Sequence, residues 1–138
     1  MRERPELSLI IPMHSEAPYI AMLRQVCPSV LESLGRTWEL IVVDDGSIDE
    51  TAFLLGNWAQ SEPRVRSVRC TPRQGKTHAY ATAFARVQGA YIFTLDADLQ
   101  EDLSAMAVML ERLQQGVGWH LRRAMGRSHG SSSLRRRA

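Results

Sequence analysis

The chain lacks the run of about 18 apolar residues that a membrane-spanning helix requires, so its sequence predicts no span. It also lacks the opening of a secretory signal. The first residues, Met1-Arg2-Glu3-Arg4-Pro5-Glu6, are charged, and the apolar run after them is short and meets Pro12. Cysteine is scarce. Cys27 and Cys70 are the only two, and their spacing suits neither a metal site nor a redox pair. They read as reduced structural thiols of a cytoplasmic protein. Glycine-rich phosphate loops are missing as well. Gly75-Lys76-Thr77 invites the pattern G-x-x-x-x-G-K-S/T, but that pattern needs glycine where this chain has Cys70. No G-x-G-x-x-G follows the first apolar run, which argues against a nicotinamide site.

Acidic residues are absent after Glu111. The first 116 residues hold all 15 acidic residues and 11 basic ones, a formal charge of −4. The last 22 hold six arginines and no acid, a formal charge of +6. Periodicity stops at the same place. Residues 117–138 therefore read as a basic, disordered tail, 1–6 as a short extension and 7–116 as the folded region. An abrupt arginine-rich ending suggests a truncated or frameshifted chain. The alternative is a basic arm for nucleic acid or anionic lipid, which the lack of interleaved aromatics weakens, so no nucleic-acid partner is expected.

What is present is a β-α-β-α-β-α-β-α rhythm. Strands are expected at 7–12, 38–43, 65–70 and from Tyr91, and helices at about 19–34, 49–60, 76–87 and 102–114. Pro12 is expected to stop the first strand, Pro28 to kink or split the first helix, and Gly89 to end the third. The helix after the second strand should bury Ile48, Ala52, Leu55 and Ala59 on one face. Trp38-Glu39-Leu40-Ile41-Val42-Val43 is nearly continuous in hydrophobicity, as a strand covered on both faces would be. The fold class is α/β: an open, mostly parallel sheet with helices on both faces and right-handed crossovers. Ligands of such sheets sit beyond the carboxyl ends of the strands. The polar loops at those ends are His14-Ser15-Glu16, Asp44-Asp45-Gly46-Ser47, Arg73-Gln74-Gly75-Lys76 and Asp96-Ala97-Asp98.

Tyr91-Ile92-Phe93-Thr94-Leu95 runs straight into Asp96-Ala97-Asp98-Leu99-Gln100. In an extended chain residues i and i+2 point the same way, so Asp96, Asp98 and Gln100 can aim at one point. Hard oxygen ligands there suit Mg²⁺ or Mn²⁺. A lone Asp-x-Asp is equally an acidic turn or a helix cap. Singly, Asp44-Asp45-Gly46-Ser47 reads as a turn, Glu16 as a helix-start charge, and His14 and Lys76 as exposed residues. An aspartyl-nucleophile phosphatase would need Thr or Val where Gln100 stands.

Taken together and in order, these motifs resemble glycosyltransferase family 2, the inverting nucleotide-sugar transferases of GT-A fold. The family's Pro-x-Tyr-Asn-Glu appears as Pro12-Met13-His14-Ser15-Glu16, with two departures. Its Val-Asp-Asp-Gly-Ser-x-Asp-x-Thr is matched in full by Val43 to Thr51. Its metal motif is matched by Asp96 to Gln100, in the form most similar to polyprenyl-phosphate mannosyl- and glucosyltransferases. The resemblance implies the N-terminal, nucleotide-binding half of the domain, over roughly 7–115. It implies that Asp45, with Asp44 beside it, accepts hydrogen bonds from the nucleotide base, and that Pro12 and Glu16 shape the base and ribose pocket. Arg73 and Lys76 would approach the nucleotide, and Asp96, Asp98 and Gln100 would hold Mg²⁺ or Mn²⁺ on the diphosphate. The implied partners are a nucleotide-diphosphate sugar donor and a polyprenyl-phosphate acceptor at the inner face of the membrane. The family's acceptor-binding half has no counterpart here, so a binding remnant without turnover stands as an alternative.

Overall fold

The computed structural model describes residues 4–98 and 103–115. Gln100 and the basic tail lie outside the described residues. The elements run β1 (Leu7–Met13), α1 (Ala17–Ser33), β2 (Trp38–Asp45), α2 (Thr51–Ser61), β3 (Val65–Cys70), α3 (Lys76–Phe84), β4 (Tyr91–Thr94), a 3₁₀ turn at Leu103–Ala105 and α4 (Met106–Gln114). The strands form one parallel sheet in the order β3-β2-β1-β4. The chain steps from β1 to β2 to β3, then returns to pair β4 on the far side of β1. Right-handed crossovers then put α1 and α2 on one face and α3 on the other. Packing agrees: α1 lies against α2, and α3 against β2 and β1. The reversal of strand order falls between β1 and β4.

The core is the sheet itself. Every residue of β1, β2 and β4 is buried, as the unbroken apolar runs require. Helix α1 adds Ile20, Leu23, Cys27 and Leu31 at helical spacing, α2 adds Leu55 and Trp58, and α3 adds Ala79 and Ala83. Both thiols are buried and free, and burial pushes that of Cys27 up to about 12. Among the described residues no helix is long and apolar enough to cross a membrane.

Several expected boundaries move. β1 runs through Pro12, which pairs with Val43, to Met13. The Ile10 carbonyl accepts from Leu95 N–H on the β4 side, so by two-residue alternation Pro12 faces that side too. β4 ends at Thr94, opposite Ile10, so the missing proline N–H costs the ladder nothing. α1 continues unsplit through Pro28 because Leu23, Cys27 and Leu31 anchor it on both sides. β2 extends to Asp45, making the two aspartates strand residues rather than loop residues. Ile48 is 93% exposed, and Thr51 rather than Ile48 joins the buried face of α2. α3 closes at Phe84, and Gly89 serves instead for a close approach to β1.

Candidate functional site

The loops after all four strands meet at the carboxyl rim of the sheet, over the reversal of strand order. There they enclose a cleft of about 230 Å³. Pro12, Glu16, Asp45, Arg73, Lys76, Asp96 and Asp98 all line it. Asp44 does not. It is 1% exposed, turned into the fold, with Oδ1 accepting the Ser47 N–H at 3.0 Å and Oδ2 lying 3.6 Å from an Arg69 guanidinium nitrogen.

Each loop is held by its neighbour. Asp45 clamps the β3–α3 loop: Oδ1 accepts the Gln74 N–H at 2.7 Å and Oδ2 the Gly75 N–H at 2.9 Å. The Arg73 Nε stands 4.0 Å from the same carboxylate. Gly46 adopts φ +64°, and a Cβ there would lie 2.6 Å from the Arg73 nitrogen. Only glycine allows so close an approach of the two loops. The β1–α1 loop is tied to the β2–α2 loop by Ser15 N–H to Ser47 Oγ at 2.8 Å and Glu16 N–H to Thr51 Oγ1 at 3.1 Å. Thr51 is in turn fixed on Asp49, its N–H donating at 3.0 Å. The motif residues Asp44 to Thr51 thus build the rim, and only Asp45 among them faces the cleft.

His14 belongs to the site, although alone it reads as an exposed loop residue. It is half-buried, lines the cleft, and places Nδ1 2.8 Å from the Asp45 carbonyl oxygen. A carbonyl only accepts, so Nδ1 is the donor in this contact. The available signal was its position inside the stretch from Pro12 to Glu16. Met13, Ala79 and Ala97 complete the walls.

Asp96 and Asp98 share the cleft for a different reason from the one expected. β4 stops at Thr94, and Ala97-Asp98 form a turn. Ala97 is buried and anchors that turn, leaving the flanking carboxylates partly exposed on the cleft wall. Lys76, at the first position of α3, donates from Nζ to Asp96 Oδ1 at 2.5 Å. Glu16 feels this crowd. Burial holds its carboxyl above the usual carboxylate value. The His14 N–H opposes that, the Asp98 and Asp96 charges add to it, and Lys76 offsets part of it.

Among the described residues no three His, Cys, Asp or Glu side chains converge into a complete metal cage. Two carboxylates on one wall still fit Mg²⁺ or Mn²⁺, which keep several water or phosphate ligands and take only one or two from protein.

A parallel α/β sheet of this kind takes its ligands in the crevice beyond the carboxyl ends of its strands, at the reversal of strand order, where this cleft lies. The chain belongs to glycosyl transferase family 2, which it matches over residues 8–129. Among curated relatives it is 30% identical over 112 residues to the undecaprenyl-phosphate 4-deoxy-4-formamido-L-arabinose transferase of Salmonella paratyphi B. That match covers 80% of this chain and 34% of the relative. The corresponding transferase of Salmonella newport matches equally. Among solved structures, the Pyrobaculum calidifontis mannosyltransferase PcManGT in complex with GDP-Man and Mn²⁺ superposes with a TM-score of 0.65 at 29% identity. It covers 80% of this chain and 33% of that one. TarS 1-349 of S. aureus in complex with UDP gives 0.58 at 20% identity over 78% of this chain and 32% of that one, a likeness of fold. The chain spans about a third of the length of the curated relatives it matches.

Proposed function

We propose that this chain forms the donor-binding part of an inverting glycosyltransferase that takes a nucleotide-diphosphate sugar with Mg²⁺ or Mn²⁺ and passes the sugar to a polyprenyl phosphate. The observation that carries this reading is the convergence of Pro12, Glu16, Asp45, Arg73, Lys76, Asp96 and Asp98 on one cleft. PcManGT, bound to GDP-Man and Mn²⁺, supplies the metal and donor class, and the Salmonella transferases supply the acceptor class.

In this reading Asp96 and Asp98 hold the ion on the diphosphate, with Gln100 as a further ligand. When bound, the ion neutralises the diphosphate and makes it a competent leaving group. Arg73 and Lys76 meet the phosphates from the opposite loop. The first turn of α3 adds backbone N–H groups that favour an anion. Pro12, His14 and Glu16 wall the nucleoside side. The Asp45 carboxylate binds the β3–α3 loop and presents its remaining lone pairs to a base N–H, with Asp44 supporting the turn behind it. An acceptor phosphate is already an anion at neutral pH, so attack on the anomeric carbon needs no dedicated base.

Calorimetry with GDP and UDP, with and without Mn²⁺, tests this. Mn²⁺-dependent binding is expected, and Asp98→Ala should weaken it by about tenfold or more. Nucleotide affinity and Mn²⁺ dependence that survive Asp98→Ala unchanged would remove the metal assignment. Sugar transfer to a polyprenyl phosphate is measured separately and distinguishes turnover from binding alone.

A further inference from the structure

We propose that Lys76 couples metal binding to nucleotide binding by exchanging partners: its ammonium competes with the divalent ion for Asp96 Oδ1 and is received by the donor's phosphates. This rests on the donor-site reading above. Lys76 is the chain's only lysine, every other basic side chain being arginine. Its Nζ lies 2.5 Å from Asp96 Oδ1, and the same nitrogen stands 5.9 Å from the centre of the Tyr80 ring. The Asp96 side chain is mostly buried, and the Lys76 side chain is more than half exposed. The root of that side chain is fixed, because the Gly75 N–H is clamped by Asp45. The head is a compact charge on a flexible four-carbon stem, able to swing where a planar guanidinium would not.

A Mg²⁺ or Mn²⁺ ligand oxygen sits at about 2.1 Å from the ion, so an ammonium on the same oxygen would stand roughly 4 Å from it. Two cations that close repel, and one must leave. A diphosphate in the same cleft gives the departing ammonium a new anion. Lys76 therefore opposes the metal alone and favours the metal together with the nucleotide. By linkage each of those ligands then strengthens the other.

The test compares the full chain with Lys76→Met, which keeps the stem and removes the charge. Free Mn²⁺ is counted by electron paramagnetic resonance, and GDP and UDP binding at saturating Mn²⁺ is followed by calorimetry. Mn²⁺ alone should bind Lys76→Met about threefold more tightly, the scale of an exposed ion pair. The nucleotides should bind it about tenfold more weakly, the scale of a charge-assisted phosphate contact. Lys76→Arg should show a smaller change in each. A merely structural role moves both affinities the same way or neither, and either result overturns the exchange. If wild type binds Mn²⁺ and nucleotide but the two shifts are not opposite in sign, the exchange alone falls. If wild type binds neither, the donor-site reading falls with it.

Discussion

Strand β2 carries Glu39 near its amino end and Asp44 and Asp45 at its carboxyl end, and Glu39 and Asp45 have opposite fates. Glu39, at the amino rim, is consumed by the fold. Its Oε1 accepts from Ser8 Oγ and from the Gln88 N–H, each at 2.6 Å, and its Oε2 from Arg66 at 2.7 Å. The Gly89 N–H closes on Ser8 Oγ at 2.9 Å, and Arg66 also donates to the Arg86 carbonyl at 2.7 Å. The crossover from α3 to β4 is thereby sewn to β1, β2 and β3. Asp45, at the carboxyl rim, binds one loop and also faces a cleft with Glu16, Asp96 and Asp98 on its walls. One rim gathers donors around a single acid. The other gathers Glu16, Asp45, Asp96 and Asp98 around Lys76 and Arg73.

The largest expected effect lies at the closed rim. Glu39→Ala strips three donors of their acceptor in a site where Glu39 is 6% exposed. A loss of about 3 kcal/mol is expected, since buried donors are left unsatisfied. Urea denaturation measures it. Nucleotide affinity of the folded variant should be unaltered, because the change is confined to the rim away from the cleft. A variant as stable as wild type would show that the network is ornamental.

That network was the least legible part of the chain. Its bonds join residues 20 to 81 positions apart, and no local pattern announces them. The available sign was a polar residue at the second position of each buried strand, Ser8 in β1 and Glu39 in β2. The carboxyl rim was legible because alternating β and α elements put every strand end on the same side, whatever the details. The details were less so. Asp44 and Asp45 belong to the strand, and Asp44 is spent on the Ser47 turn. Asp96 and Asp98 meet in a turn where strand alternation had suggested an extended chain. Ile48 follows helical spacing yet precedes the helix, so its spacing carried no information about burial.

The second effect separates the rims by what they cost. Gly46→Ala must adopt φ +64° and push its Cβ against the Arg73 backbone. About 2 kcal/mol of stability should go. Unlike Glu39→Ala, it should also weaken nucleotide binding, because the loop bearing Arg73 and Lys76 is displaced. Gly56→Ala is the control: it lies within α2, and an added Cβ meets nothing within 4 Å. It should stabilise by about 0.5–1 kcal/mol. Equal losses at Gly46 and Gly56 would mean that loop contact is irrelevant.

The smallest effect is in pH, and its sign distinguishes the crowded acids from the paired ones. Glu32 and Glu62 both accept from Arg64, whose hydrogen bonds hold their carboxyls below the usual value. Their contribution is present above the unfolded value and disappears as pH falls through the folded one. Glu16 runs the other way. Burial foremost, with Asp98 and Asp96 behind it, raises its carboxyl, so the folded chain holds that proton more tightly than the unfolded chain. Its contribution is complete below the unfolded value and is lost as pH rises through the folded one. Thermal melts of wild type and Glu16→Gln between about pH 4 and 8 isolate the term, because glutamine does not titrate. Relative to Glu16→Gln, wild type should lose stability as pH climbs. A constant difference between the two across that range would mean that burial and the neighbouring acids together do not raise the Glu16 carboxyl.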